Sequence, residues 1–112
     1  MAALVVGYDG SGCAHRALDE AARLAIDIGD AVVIVFGYDP GSVEAPEGAS
    51  EHREVALLDA AARHGARAIV VGSYGESPLK GAILGSTPHK LLHLSERPVL
   101  VVPTEENEEA DG

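Results

Sequence analysis

Cysteine, tryptophan and aromatic residues in general are scarce in this chain. Of its 112 residues one is cysteine, none is tryptophan, and the aromatic residues make up 4%. The lone Cys13 excludes an internal disulfide, which fits a reducing compartment. With so few aromatic side chains, the hydrophobic core must be built from valine, alanine, leucine and isoleucine. A chain of this length suits one small domain with a single core.

Long apolar runs are also missing, since none approaches the roughly 20 residues that a membrane-spanning helix needs. The first residues, Met1–Val6, lack the basic region of a signal peptide, and the chain turns polar by Asp9. We therefore interpret the start of the chain as a first strand. We expect a cytoplasmic protein with no membrane partner.

Basic residues are few, because eight lysines and arginines stand against eighteen acidic residues and the net charge is −10. Such a surface repels nucleic-acid backbones and anionic membranes, so we expect no nucleic-acid partner. Part of the negative charge lies at the end of the chain. We predict that residues 104–112 form a disordered acidic tail and that residues 1–103 form a single domain.

Short apolar, β-branched runs alternate with helical patterns, which is typical of an α/β fold with an open parallel sheet and helices on both faces. The predicted strands are Ala3–Tyr8, Ala31–Gly37, Arg67–Gly72 and Val99–Val102, and the predicted helices follow Ser11, span Glu51–His64 and span Thr87–Leu94. The unbroken apolar run of the second strand is typical of a strand covered on both faces. Residues 38–50 are rich in proline and glycine and predict a loop.

Capping residues predict where the first helix begins and ends, and apolar spacing predicts which face of the second helix is buried. Ser11 is a suitable N-cap for the first helix, and Gly29 is a suitable stop at its C-terminus. In the second helix, apolar residues at helical spacing predict that Val55, Leu58 and Ala62 face the core.

A binding crevice is expected beyond the carboxyl ends of the strands, at the point where the strand order reverses. The first and third strands lie side by side there, so Tyr8–Ser11 and Gly72–Ser86 meet. Asp9 is the acidic residue placed to face a polar ligand, and it can accept hydrogen bonds from ribose hydroxyls or hold Mg²⁺. The alternative is that Asp9 only complements the dipole of the helix that follows it.

A glycine-rich stretch follows the third strand and predicts a phosphate cradle. It reads Gly72-Ser73-Tyr74-Gly75 and, after nine intervening residues, Gly85-Ser86. Glycine allows a backbone to approach a ligand closely, and a helix start offers unpaired N–H groups to an anion. Neither the P-loop nor the Gly-x-Gly-x-x-Gly fingerprint is present. The alternative is that these glycines are turn residues of a loop that binds nothing.

Cys13 and the five histidines are candidates for other chemistry. Cys13 is either a reactive thiol at a helix start or a small packed side chain. No histidine pair has metal-ligand spacing together with an acid, so we expect the histidines to lie at the surface or at helix ends.

The pattern Gly72-x2-Gly75-x9-Gly85-Ser86, with Asp9-Gly10-Ser11 before it and Arg97–Val102 after it, resembles the universal stress protein family. The resemblance covers residues 3 to 103 apart from one interior gap, and the motif resembles that of the ATP-binding branch. It implies a site for ATP, ADP or AMP, with Mg²⁺ as a companion ion. The residues that it implicates in nucleotide binding are Asp9, Gly10, Ser11, Phe36, Gly37, Gly72, Gly75, Gly85, Ser86 and Thr87.

Within that set, the resemblance assigns the phosphates to the turn at Gly75 and to Gly85-Ser86. Asp9 would meet the ribose or the metal, and adenine would lie against backbone near Phe36 and Gly37.

The sequence departs from the family between its second strand and second helix, where members usually carry a further helix and strand. Only residues 38–50 stand there. The family's five-stranded sheet of order 3-2-1-4-5 would shrink to four strands of order 2-1-3-4, with the second strand at an edge. An apolar edge invites pairing, and this one borders the expected adenine pocket.

The function expected from the resemblance is ATP binding in stress response and signalling, by a homodimer paired through Val99–Val102. One alternative is a dimeric interaction module that has lost nucleotide binding. Another is a slow, Mg²⁺-dependent nucleotide hydrolase centred on Asp9. The sequence assigns no catalytic residue and leaves enzymatic activity open.

Overall fold

The computed structural model describes residues 2–36, 51–73 and 85–103, without the side chains of residues 51–53 and 86. Its elements are β1 (Ala3–Tyr8), α1 (Gly12–Ile28), β2 (Ala31–Phe36), α2 (Glu51–His64), β3 (Ala66–Gly72), α3 (Ser86–Leu94) and β4 (Val99–Val102). These bounds agree with the predicted ones to within one residue. The predicted loop 38–50 and the predicted tail 104–112 lie outside the described residues.

The four strands form one parallel sheet in the order β2-β1-β3-β4, which confirms the predicted fold. From β1 the chain passes through α1 to β2, which pairs with one edge of β1. From β3, which pairs with the other edge of β1, it passes through α3 to β4 and so moves in the opposite direction across the sheet. The strand order therefore reverses between β1 and β3, and the crevice of such a sheet lies at their carboxyl ends.

Alternate residues of β1 face two separate apolar clusters. Leu4 and Val6 pack with the alanines of α1 on one face of the sheet. Val5 packs with Leu57 of α2 and Leu91 of α3 on the other face. Helices thus cover both faces of β1, which explains its continuous apolar sequence.

The caps of α1 are those that its sequence predicts. Ser11 Oγ accepts a hydrogen bond from the Ala14 N–H at 3.1 Å, and Gly29 ends the helix with a φ of 75°. The helix approaches β3 closely at its first turn. A Cβ atom on Gly72 would lie 2.7 Å from Cys13 Sγ and 2.8 Å from the Cys13 carbonyl oxygen. Glycine at position 72 is therefore required by packing.

The prediction for the buried face of α2 was wrong for Val55 and Ala62, whereas Leu58 is half-buried and packs against the core as predicted. Val55 is 60% exposed and Ala62 is also exposed, whereas Glu54 and Leu57 are buried. The reason lies in the sheet, because a Cβ atom on Gly7 would come within 3.1 Å of Leu57 Cδ1. The missing side chain of Gly7 leaves a gap into which Leu57 fits. Burying a leucine in this way contributes about 1.5–3 kcal/mol.

The edge strand β2 is not covered on both faces, contrary to the expectation from its apolar run. Ile34 is 52% exposed and Phe36 is 71% exposed. Val32 packs against the α1 side of the sheet, and by strand alternation Ile34 and Phe36 point to the same side. Within the described ranges α1 is the helix on that side, and it lies mainly over β1 and β3. The predicted edge position of β2 is confirmed.

Candidate functional site

The candidate site lies at the carboxyl ends of β1 and β3, where α1 and α3 begin on opposite faces of the sheet. A helix start carries unpaired N–H groups and a partial positive charge. Ser11 caps α1 with its side chain, but the N-cap of α3 is Gly85, which makes no side-chain hydrogen bond to the helix. The first turn of α3 is therefore the better donor to an anionic ligand.

Asp9, Gly10 and Ser11 form the tight turn between β1 and α1. Asp9 Oδ1 accepts a hydrogen bond from the Ser11 N–H at 2.9 Å, and Gly10 adopts a φ of 86°, which favours glycine. Asp9 is half-buried at the mouth of the crevice. The first turn of α1 contains no acidic residue, so Asp9 stands before the helix and not within it.

The end of β3 and the start of α3 are held together through Ser73. The Ser73 N–H donates to the Val102 carbonyl at 2.9 Å, and the Gly85 N–H donates to the Ser73 carbonyl at 2.6 Å. Residue 85 thus lies directly beside the end of β3. This contact fixes the start of α3 beside the carboxyl ends of β3 and β4.

Three of the predicted ligand residues cannot be placed in full. Gly37 and Gly75 lie outside the described residues, and the side chain of Ser86 is not described. Thr87 lies in the first turn of α3 and is half-buried.

The thiol of Cys13 lies inside the protein behind the crevice. Cys13 is 8% exposed, and its Sγ lies 3.7 Å from Ser73 Oγ and 3.7 Å from the Val102 carbonyl oxygen. These contacts support the interpretation of Cys13 as a small packed side chain that joins α1 to β3 and β4.

Three aromatic rings lie next to one another on the β2 side of the crevice. Tyr8 and Phe36 are register partners at the ends of β1 and β2, with ring centroids 6.0 Å apart. The ring of His15 lies 6.5 Å from that of Tyr8. The sequence analysis named Phe36 and placed Tyr8 at the crevice without giving it a role, and it missed the ring of His15. Such rings can contact the face of a planar base.

A buried carboxyl group, that of Glu54, was also missed. Glu54 is 1% exposed, and neither of its side-chain oxygens has a hydrogen-bond partner among the residues that the structure describes. It lies near the start of α2. The signal that would have found it is the second apolar stripe of α2, which contains Leu57, Ala60 and Ala61 and continues backwards to position 54.

Asp30, a carboxyl group whose pKa is lowered, lies at the opposite edge of the sheet and belongs to the scaffold. Arg67 Nε donates to Asp30 Oδ2 at 2.6 Å and Arg67 Nη2 donates to Asp30 Oδ1 at 3.1 Å. The hydrogen bonds and charge of Arg67 lower the pKa of Asp30, and the same contacts raise the pKa of Arg67. The pair links the turn before β2 to β3 across the start of β1.

The described histidines lie at the surface, as expected, and His89 and His93 contact each other with ring centroids 5.0 Å apart. Within residues 2–36, 51–73 and 85–103, no cluster of three or more histidine, cysteine or acidic side chains could hold a metal ion. None of the helices in those ranges is long and apolar enough to cross a membrane.

Comparisons with known proteins agree with this geometry. The model of the universal stress protein family matches residues 50–103. No curated protein matches the chain. Among solved structures, a universal stress protein in complex with cAMP is 24% identical and aligns with a TM-score of 0.64, covering 90% of this chain and 96% of its own.

A second similar structure is the universal stress protein from Archaeoglobus fulgidus. It is 23% identical and aligns with a TM-score of 0.65, covering 91% of this chain and 98% of its own. The second half of the chain thus matches the universal stress protein family, and the sheet with its helices has the Rossmann-like α/β fold of universal stress proteins.

Proposed function

We propose that this chain is a universal stress protein that binds an adenine nucleotide, ATP by preference, and acts in stress signalling through that binding. The observation that carries the proposal is the start of α3, where Gly85 leaves the first-turn N–H groups without a side-chain cap beside the switch point of the sheet. The family match and the cAMP complex of a similar protein support a nucleotide as the ligand.

The ligand would lie across the ends of three strands. Its phosphates would meet Gly75, Gly85, Ser86 and Thr87, its ribose would meet Asp9, Gly10 and Ser11, and its base would lie towards Phe36 and Gly37. Gly72 would allow the first turn of α1 to lie close to the end of β3, next to the bound ligand. Asp9 fits a companion Mg²⁺, because this ion binds one or two carboxylates together with phosphate oxygens.

The exposed ring of Phe36 and the ring of Tyr8 give the base an apolar contact at the edge of the sheet. No wall beyond β2 exists within the described residues. We therefore expect the phosphates to contribute more of the affinity than the base.

Thermal unfolding with added ATP, ADP and AMP tests the proposal. A ligand at 100 times its Kd stabilises the folded state by about 2.7 kcal/mol, which is a readily measured rise in Tm. We expect Gly85→Val to abolish the rise, because a branched side chain would occupy the phosphate approach. Ala62→Val adds the same side chain at an exposed position of α2 and should leave the rise intact. Absence of a rise with all three nucleotides would refute the proposal.

A second candidate function is a dimeric interaction module that binds no nucleotide. The exposed apolar side chains of the two edge strands favour it, with Ile34 and Phe36 on β2 and Leu100, which is 41% exposed, on β4.

The main proposal also includes a cytoplasmic homodimer paired through Val99–Val102, so a dimer alone does not separate the two candidates. A dimer in sedimentation equilibrium together with no response to nucleotide would favour the second candidate.

A further inference from the structure

Glu54 is a buried acidic side chain for which the described part of the fold supplies no partner. It is 1% exposed, and both oxygens are without a hydrogen-bond partner among the described residues. Removing a carboxylate from water without a partner is costly, so such groups in native proteins are paired, hydrogen-bonded or bound to a metal. A position near the start of a helix offsets part of that cost through the dipole but supplies no partner.

The place of Glu54 in the fold points to the crevice. Leu57 lies over Gly7 of β1, and α2 runs antiparallel to the strands because it connects two parallel ones. Glu54 is three residues before Leu57, which is about 4.5 Å nearer the carboxyl edge. Asp9 is two residues after Gly7, which is about 6.6 Å in the same direction. The two carboxyl groups are thus carried to the same edge by neighbouring elements.

The start of α3 lies at that edge too. α2 and α3 pack against each other on one face of the sheet, and both begin at its carboxyl edge. Glu54 therefore stands on the side of the crevice where the proposed phosphates would bind. A carboxylate and a phosphate repel each other, so a nearby unpaired glutamate would oppose nucleotide binding.

Protein cations do not resolve this conflict within the described residues. The ion pairs there include those of Arg23 with Glu20, Arg63 with Asp59, Arg67 with Asp30 and His15 with Asp19, and Glu54 belongs to none of these four. A divalent cation would satisfy both partners at once, because Mg²⁺ is held by one or two carboxylates together with phosphate oxygens.

We propose that Glu54 is a ligand of a divalent cation, Mg²⁺ or Mn²⁺, which joins α2 to the phosphates of the bound nucleotide. The inference rests on the proposed nucleotide binding. It adds a carboxylate from α2 to Asp9 and makes nucleotide affinity dependent on the cation.

Calorimetric titration with ATP, once with Mg²⁺ and once with EDTA, tests the inference. We expect Mg²⁺ to tighten ATP binding at least tenfold in the unchanged protein. Glu54→Gln keeps the size of the side chain but loses the charge, so it should reduce the Mg²⁺ dependence, with Asp9 still present, and leave binding in EDTA equal or tighter. Glu96→Gln changes an exposed acid and should retain the full dependence.

A measurement on the unchanged protein keeps the inference testable if Glu54→Gln fails to fold. Mn²⁺ is paramagnetic, so Mn²⁺ with ATP should broaden the amide signals of Glu54 and Leu57 and spare those of Gly29 and Gly65. Sharp signals at Glu54 in the presence of bound nucleotide would overturn the inference, as would an unchanged Mg²⁺ dependence in Glu54→Gln. Absence of ATP binding under every condition would instead refute the proposed function itself.

Discussion

Single glycines decide the shape of the crevice. Gly72 was predicted as a ligand contact, and the structure shows a packing reason for it, since the first turn of α1 lies against its backbone. Gly7 makes room for Leu57 in a similar way. Such reasons cannot be read from sequence, because a glycine that faces a ligand and one that faces another element look the same. The caps Ser11 and Gly29 were predictable, because capping is a local interaction.

Gly72→Ala tests the packing reason. The added methyl group would lie 2.8 Å from the backbone oxygen of Cys13 as well as 2.7 Å from its sulfur. Because backbone cannot rotate away, we expect a loss of about 1–3 kcal/mol in the free energy of unfolding, measured by urea denaturation.

Gly12→Ala is the matched control for this measurement, since a Cβ atom there meets nothing within 4 Å. Alanine is the better helix former, so a small gain of up to about 1 kcal/mol is expected at this position. A Gly72→Ala protein as stable as the unchanged one would show that α1 and β3 do not approach so closely.

The elements were predictable in type and position, but the orientation of α2 was not. Its sequence carries two apolar stripes at helical spacing, one through Val55 and Leu58 and one through Leu57 and Ala61. The sequence analysis took the first stripe as the buried one, whereas the gap at Gly7 brings Leu57 of the second stripe against the sheet. The buried carboxyl of Glu54 follows from that contact, so this part of the candidate site depended on tertiary packing.

The starts of β2 and β3 are linked by the Asp30–Arg67 pair, and this link makes a prediction about pH. The pKa of Asp30 in the folded protein lies below its unfolded value of about 3.9 because Arg67 stabilises the carboxylate. Between the two values the unfolded state binds more protons, so stability rises with pH. The contribution of the Asp30–Arg67 pair to stability is fully present above the pKa of Asp30 in the unfolded state. It is lost as the pH falls through the pKa of Asp30 in the folded state.

We expect Arg67→Gln to weaken the acid dependence of the free energy of unfolding in this range, measured by urea denaturation from pH 2 to pH 5. The matched control is Arg63→Gln. The side chains of Arg63 and Asp59 are 67% and 61% exposed, so their ion pair contributes little to the free energy of unfolding. Equal acid dependence in the unchanged protein and in Arg67→Gln would contradict the role given to the pair.

At the scale of the whole molecule, the alternation of strands and helices predicted the neighbouring positions of β1 and β3, and the full order β2-β1-β3-β4 was predicted from the family resemblance. The crevice between β1 and β3 follows from that order. Which residues line it follows less directly, because the surroundings of His15 and Glu54 depend on how the helices pack against the sheet. The central claim is that a nucleotide binds at this edge.

Amide chemical shifts of the isotopically labelled protein, recorded during titration with ATP and Mg²⁺, test that claim most directly. Three glycines report on the two edges of the sheet. We predict large, saturable shifts for the amides of Gly10 and Gly85 at the carboxyl edge and none for Gly65 at the amino edge. Shifts confined to Gly65 and its neighbours, or no saturable shift anywhere, would contradict the account.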